Sequence, residues 1–557
     1  MSPTSPTPPP GTATDTFGIP PDVYERRKQI LAVLCISLVL IVVAVSSLNV
    51  AIPTIQQELG ASSTELQWII DAYALVFAGF LLPAGALGDR FGRKGALQVG
   101  LVIFGICAVV ASFSSSPAQL IASRAVMGLG AALVMPATLS IIQSSFPPHE
   151  RAKAVATWAG LAGAGGAIGP LLSGLMLKWF WWGSVFFINL PLVAALLYLC
   201  WRIVPTSKDP HGHPLDPIGS VFSVIGLVAL VFGIIEGPEW GWTSGGTLLA
   251  FGLAAVFLVA FVGWELRAEH PTLDPRLFRF RGFGMGSASI TTIFFCMFGM
   301  FFIASQFLQY VKGYSPLHAG LATMPSALMM IVVSPRSPRI TAAFGVRKTM
   351  RVGFVLAAIG LVGMGTLDAH SSYWHFLASL IVLASGIALV MPPSTTAIIG
   401  SLPLSKAGVG SAVNDVTREV GGAVGIAVLG SVLNSFYRSR FDLTDVQALI
   451  PPAMADRFAP AGHAASEGIG PAVHVARELR NATADHPALP AVADGITSAA
   501  RDAFMSGTSA AFFVAAGVAA VFGLITSSRI PDEPATPGGA HTGGSHAGDA
   551  HPEGARP

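Results

Sequence analysis

Fourteen stretches of this chain are apolar over 18 residues or more, at about 29–52, 66–88, 96–114, 118–142, 153–176, 184–204, 217–236, 246–266, 286–309, 316–335, 349–367, 373–398, 407–433 and 504–527. A helix of that length covers roughly 30 Å of hydrocarbon. The stretches are apolar on every side and are separated by short polar turns, so the pattern predicts fourteen membrane-spanning helices, numbered here 1 to 14, and an all-α membrane protein. The first stretch is too long for a secretory signal and lacks a small-residue cleavage site. An even number of crossings puts both termini on one side of the membrane.

The loop charges choose the side. One alternating set of loops holds Arg26, Arg27, Lys28, Arg90, Arg93, Lys94, Arg151, Lys153, Arg202, Lys208 and, further on, Arg267, Arg276, Arg279, Arg281, Arg336, Arg339, Arg347, Lys348 and Arg351. The short loops of the other set hold Lys178 and Lys312. Excess Lys and Arg marks the cytoplasmic side, so both termini are expected there. The 434–503 loop is long enough to be exempt from that count. Parity makes it extracytoplasmic, and it is expected to be partly helical.

Composition sharpens this picture. Of 557 residues, 52% are hydrophobic and 11% charged, where a soluble chain carries about 25% charge. The formal net charge of +2 argues against a nucleic-acid partner. No P-loop, nucleophile elbow or His/Cys metal cluster occurs, so the expectation is no nucleotide, no metal, no cofactor and no enzyme activity. Gly163-x-Gly165 superficially matches a nucleotide loop but follows no strand and lies in a membrane span. Cys35, Cys107, Cys200 and Cys296 all lie in apolar runs without paired spacing and read as small hydrophobes. The Pro/Thr/Ser-rich start and the Gly/Ala/His-rich end, with His541, His546 and His551, read as solvated tails. The bias to Arg over Lys, with abundant Ala, Gly and Pro, fits a GC-rich bacterial source and hence the inner (cytoplasmic) membrane.

Charged residues inside spans stand out, because a carboxylate at the bilayer centre costs roughly 2.5–3.5 kcal/mol on insertion scales. Asp71 sits within the first two turns of helix 2, toward the outside. It reads either as a protonatable, cation-meeting group or as a structural hydrogen-bond partner. Burial favours the neutral form of an acid and a nearby cation its charged form, which suits exchange of one for the other. Asp415 and Glu419 share one face of helix 13 at i, i+4. Two acids so close do not both ionise freely in low dielectric; alternatively the neighbouring Arg418 pairs with one of them in a fixed network. Arg124, in the outer third of helix 4, cannot carry a proton but can discharge an acid; the bland reading is snorkelling to the interface. Asp216 with Pro217 is a helix-start signal. Glu236 is expected at the outer interface beside Trp240 and Trp242, and Glu265 at the inner one. The Phe and Met residues of helix 9 read as lipid-facing or core packing, with a subset able to line a greasy pocket.

There is a weak repeat. Asp89-Arg90-Phe91-Gly92-Arg93-Lys94 follows helix 2, and Ala343-Phe344-Gly345-Val346-Arg347-Lys348 follows helix 10. Helices 1–6 and 9–14 then form equivalent bundles with helices 7 and 8 inserted, a 6 + 2 + 6 arrangement whose halves rock about a midplane site. The corresponding segments are a tail over 1–28, bundles over 29–204 and 271–527, an insert over 205–270, and a tail over 528–557.

These residues carry a family resemblance. Gly85-Ala86-Leu87-Gly88-Asp89-Arg90-Phe91-Gly92-Arg93-Lys94 resembles the signature loop of the major facilitator superfamily. Arg124-Ala125-Val126-Met127-Gly128-Leu129-Gly130 resembles its helix 4 pattern, with Met127 where Gln is usual. Residues 165–174, containing Gly165, Gly169, Pro170 and Gly174, resemble the antiporter motif of helix 5, with Ser173 at a usual Gly position. Trp182 to Pro191 and Asn414 to Gly422 are also family-like. The chain thus resembles the fourteen-helix drug/proton antiporters, the QacA-type quaternary-ammonium exporters, over about residues 29–527. One departure is Ala44, where many relatives carry a helix 1 acid nine positions before the proline of the segment matching Asn49-Val50-Ala51-Ile52-Pro53. The resemblance implies the major facilitator fold and proton-coupled efflux of lipophilic, mostly cationic drugs by a monomer in the lipid bilayer. Asp71, Arg124, Asp415, Arg418 and Glu419 would serve proton coupling or cation binding. Gly85, Gly88, Asp89, Arg90, Gly92, Arg93 and Lys94 would form a gate, with Asp89 meeting a helix N-terminus of the other half. The glycines of helix 5 would make a tight, kinked contact with the other bundle. A lipid or metabolite exporter on the same fold is the alternative.

Overall fold

The computed structural model describes residues 19–61, 63–208, 215–447, 455–466, 468–481 and 489–532. The expected tails, including His541, His546 and His551, fall largely or wholly outside them. Fourteen long helices form the body: α1 (Pro21–Leu59), α2 (Ser63–Phe91), α3 (Arg93–Ser112), α4 (Pro117–Ser145), α5 (Pro148–Trp179), α6 (Asn189–Ile203), α7 (Pro217–Trp240), α8 (Gly245–Glu265), α9 (Arg281–Gln306), α10 (Pro316–Val333), α11 (Val346–Gly365), α12 (Tyr373–Gly400), α13 (Ala407–Arg440) and α14 (Leu489–Arg529). No strand occurs among the described residues. Thirteen helical segments are long and apolar enough to cross a membrane singly; α5, bent by 40° between Gly163 and Ile168, makes the fourteenth. Pro170 lacks the N–H that would bond the carbonyl of Gly166, which accounts for a bend at that level.

Local chemistry sets the starts. Proline occupies the first turn of α1, α4, α5, α7 and α10, where a missing N–H costs nothing. Ser116, Asp216, Ser244 and Ser315 accept bonds from backbone N–H groups three residues on, satisfying donors the helix leaves orphaned. Several helices outrun their apolar spans. α13 continues to Arg440 and α14 begins at Leu489, so the connection between them spans 441–488 and contains the helices Ala455–Ser466 and Ile469–Asn481.

The packing repeats. α1 lies against α5, α4 and α6; α2 against α4; α3 against α4 and α6. Shifted by eight helices, the same pairs recur: α9 against α13, α12 and α14; α10 against α12; α11 against α12 and α14. The two six-helix sets meet through α2 with α13 and α5 with α10, contacts that exchange under the same shift. α7 and α8 pack on each other, and α7 also lies against α2 and α13.

Small residues permit these approaches. A Cβ on Gly128 of α4 would stand 2.5 Å from the Tyr73 carbonyl and 3.2 Å from the Phe77 nitrogen of α2. A Cβ on Gly130 would meet the Gly100 carbonyl of α3 at 2.8 Å. Gly128→Val should therefore cost about 1–3 kcal/mol by overpacking, read as a lower unfolding temperature and reduced monodisperse yield of the detergent-solubilised protein; an unchanged unfolding temperature would contradict the tight α2–α4 seam.

Candidate functional site

The charged residues singled out by the sequence inside the body gather in three places. The first is where α2 ends. Lys406, which precedes α13, gives its helix no side-chain cap. The N–H of Gly408 instead donates to Asp89 Oδ2 (2.8 Å) and Oδ1 (3.0 Å), and that of Val409 to Oδ2 (3.2 Å). Asp89 thus caps a helix 319 residues away, its charge meeting the positive end of the helix dipole. Arg93 holds Asp89 Oδ1 at 2.8 Å and bonds the Leu404 carbonyl at 2.6 Å. Asp89 and Arg93 are both buried, at 6% and 3% exposure. Gly85 and Gly408 make this possible, since a Cβ on either would stand 2.6 Å from the other's carbonyl oxygen. Gly92 opens α3 at φ 121°, a backbone region L side chains rarely adopt.

Arg90 and Lys94 take other partners. Arg90 lies over the Phe91 ring and Lys94 bonds the Trp201 carbonyl of α6 at 2.9 Å. A Cβ on Gly88 would make ordinary contact with Ala96. The matching turn before α11 repeats the design with a substituted acid: Gly345 has φ 86°, and Asp532, beyond α14, accepts from the Arg347 N–H at 3.0 Å.

The second place is between α2 and α7. Asp71 is partly buried, with Oδ2 sequestered and without a hydrogen-bond partner among the described residues. Its electrostatic neighbour is the Glu236 carboxylate of α7. The register is set by the Trp68–Phe232 ring contact at 5.9 Å, by Leu75 and Ala78 clustering with Val231, and by Gly79, where a Cβ would meet Val228 Cγ2 at 2.6 Å. Glu236 stands at the end of its candidate span, as its position near Trp240 implied, but it is buried rather than open to the surface. α7 runs a further turn, and Glu236 is 4% exposed on the face turned to α2. Glu265 is likewise buried, beside Asp216, whose carboxylate also accepts from the Trp264 indole N–H at 2.8 Å. α2 starts three residues earlier than its apolar span, which sets Asp71 just past the second turn.

The third place is the seam of α13 with α2, α4, α5 and α9. Arg418 Nη1 reaches Asp415 Oδ1 at 3.2 Å. The Asn414 amide donates to the same oxygen at 3.4 Å and accepts from the Thr395 hydroxyl at 3.1 Å. The guanidinium lies 5.3 Å from the Trp158 ring of α5 and 4.7 Å from the Phe294 ring of α9, a cation–π setting. Glu419 is only partly buried, and its electrostatic neighbours are Arg418, Asp415 and Tyr73 of α2. Arg124 places its guanidinium 4.3 Å from the centroid of the Tyr73 ring and donates Nε to the Ile69 carbonyl at 3.1 Å. It is fully buried rather than snorkelling, and its two terminal nitrogens have no hydrogen-bond partner among the described residues. The predicted acids therefore divide: Asp71 faces Glu236, while Asp415 and Glu419 group with Arg418 toward Tyr73 and Arg124.

The glycines of α5 divide too. Gly160, Gly163 and Gly174 face Met330, Ser334 and Leu317 around α10, the expected contact with the other set. Gly165 and Gly169 instead seat α1 against Val42, Val43 and Ser46, and Pro170 stands beside Gly320 of α10.

Comparison with known proteins agrees with this architecture. The family model described as Major Facilitator Superfamily matches residues 34–426. The chain belongs to the Major Facilitator Superfamily. It is 34% identical over 411 residues to the multidrug resistance protein Stp of Mycobacterium tuberculosis (strain CDC 1551 / Oshkosh), covering 73% of this chain and 76% of that one. It is 34% identical over 495 residues to the multidrug efflux pump LfrA of Mycolicibacterium smegmatis, covering 88% and 94%. The crystal structure of the human organic anion transporter MFSD10 superposes with a TM-score of 0.59 at 13% identity, covering 91% of this chain and all of that one; at that identity the likeness concerns the fold. This superfamily member is a multi-pass membrane protein, and the Asp89 cap lies at its α2–α3 turn.

Asp89→Asn should weaken charge-assisted bonds worth about 1.5–3 kcal/mol and raise the fraction of molecules separated at this end. Spin labels on exposed Phe91 and Leu404 would show a new long-distance population; a distribution identical to the parent's would remove the latch role.

Proposed function

We propose that this protein exports lipophilic, mostly cationic compounds across the cytoplasmic membrane in exchange for protons, by alternating access of the two six-helix bundles. Both termini face the cytoplasm in this reading, so the Asp89 latch closes the cytoplasmic side. The observation that carries it is the placing of four carboxylates of the membrane helices in two sites, one shared by Asp71 and Glu236 and one by Asp415 and Glu419. The named activities of Stp and LfrA support the substrate class.

Two acid sites suit the energetics. Expelling a monovalent cation against an inside-negative potential costs roughly 2.3 kcal/mol per 100 mV. One proton cancels that cost and adds only the pH gradient, about 1.4 kcal/mol per unit; a second proton draws on the voltage as well. In α1, Ala44 is buried at 3% exposure and offers no acid. Glu236 supplies the carboxylate that α1 lacks, from a different helix. Asp415, held by Arg418, sets the charge of the α13 site, while Glu419, less enclosed, is the group open to exchange. Arg124, across Tyr73, is the fixed positive charge that favours discharge of a neighbouring acid. The Phe and Met residues of α9 offer soft walls that accept varied ligands. The specific observation favouring a lipid or metabolite exporter is Ala44 itself.

The test uses purified protein in liposomes with a set pH gradient, following ethidium and internal pH together. Dye movement that dissipates the gradient, with Asp71→Asn, Glu236→Gln or Asp415→Asn lowering coupled transport at least tenfold, is the expected result. Dye that does not move, or moves without protons and ignores all three substitutions, favours the lipid or metabolite exporter.

A further inference from the structure

The strap that joins α8 to α9 has an unusual make-up. α8 ends at Glu265 and α9 begins at Arg281, and both are candidate spans, so residues 266–280 begin and end at one membrane face. The last part of the strap, Pro275-Arg276-Leu277-Phe278-Arg279-Phe280-Arg281, alternates cations with apolar residues. Pro275–Arg279 forms a 3-10 turn. Residues three apart in such a turn share an edge, so Arg276 and Arg279 stand on the same one. Arg267, Arg276, Arg279 and Arg281 are all exposed. So are Phe278, at 47%, and Phe280, at 54%.

The strap is held in this form from both ends. Asp274 Oδ1 accepts from the Arg276 N–H at 2.9 Å. Phe278 meets the Phe283 ring edge-on, with centroids 4.9 Å apart, and a Cβ on Gly284 would stand 2.5 Å from the Phe278 carbonyl oxygen. Further back, Thr272 and Leu273 are buried and Lys406 donates to the Pro271 carbonyl at 3.1 Å. The guanidiniums are not neutralised there. None of the four is ion-paired among the described residues. The acids of the strap itself are Glu269 and Asp274. The elements beside it bring Arg90, Arg93 and Lys406 against Asp89, Asp216 and Glu265. With His270 neutral, seven cations stand against five acids, a net charge of +2.

Exposed rings set between unpaired guanidiniums suit neither water nor hydrocarbon alone. Aromatic rings settle at headgroup level, and a guanidinium bonds a phosphate oxyanion through paired N–H groups. We propose that the strap docks an anionic phospholipid of the bilayer, with the phosphate between Arg276 and Arg279 and with Phe278 and Phe280 where the acyl chains begin. The surface is distinct from the acids at the α2–α7 and α13 seams. The assignment rests on the strap's charges, its rings and its place between two spans, and stands whether or not the transport reading does.

The test is photo-cross-linking of the full chain in phosphatidylcholine nanodiscs carrying a small share of phosphatidylglycerol with a diazirine high on its acyl chain, mapped by peptide mass spectrometry. Labelling within residues 276–283 is expected, and unlabelled phosphatidylglycerol should displace it. Phosphatidylcholine bearing the same diazirine should label those residues at least fivefold less. The double variant Arg276→Gln/Arg279→Gln should lose at least fivefold of the phosphatidylglycerol labelling. Lys348→Gln/Arg351→Gln removes two exposed cations at the start of α11 on the same membrane face and should label like the parent. Equal labelling by the two lipids, equal loss in the two double variants, full labelling of the Arg276→Gln/Arg279→Gln protein, or displacement by soluble glycerol phosphate would each overturn the proposal.

Discussion

The two six-helix sets of this protein are joined at one end by a carboxylate doing the work of a helix cap. α13 begins at Ala407 with no side chain of its own to meet its first N–H groups, and Asp89 supplies that partner from α2. The arrangement demands backbone approach close enough to exclude any side chain at Gly85 and Gly408, and a cation, Arg93, that keeps the buried charge compensated. A buried ion whose partner moves away is costly, so the contact has two acceptable states, made in full or opened to water. That is the behaviour the proposed cytoplasmic latch requires.

The same economy of charge explains where the remaining ionisable groups lie. In a low-dielectric body each needs a partner or a route to water. Arg418 meets Asp415 and two aromatic faces. Arg124 meets a carbonyl and the Tyr73 ring. Asp71 has Glu236 as an electrostatic neighbour across the α2–α7 contact. The inserted pair α7–α8 is thus more than a spacer, because α7 brings its own carboxylate to the α2 acid. The packing repeat between the two sets does not extend to this site, because α7 has no counterpart in it.

Much of the fold was legible because membrane burial writes itself into sequence as length and uniform apolarity. The spans, the Asp216 helix start and the paired Gly92 and Gly345 turns could all be read from local pattern. The Asp89 contact was anticipated only through family resemblance, since nothing local in residues 85–94 points to residue 408. The burial of Glu236 against α2 was not legible, because which face of α7 meets α2 depends on Trp68, Phe232 and Gly79 together. The antiporter glycines looked like one bare face and proved to be two, since the bend near Gly163–Ile168 turns Gly165 and Gly169 toward α1.

The sequence by itself determined the number of spans and the apolar stretch each contains, the two repeated turns and the identity of the rare charges in the apolar body, because each follows from local pattern and from the cost of placing a residue in hydrocarbon. The tertiary structure decided which charges meet. Asp71 with Glu236, Arg418 with Asp415 and Asp89 with the start of α13 are set by helix rotation and backbone approach, and those depend on contacts between residues up to 320 positions apart. Hydrophobic pattern carries no information about such pairings, because every face of these helices is apolar and the few glycines that select one rotation are understood only beside the partner they admit.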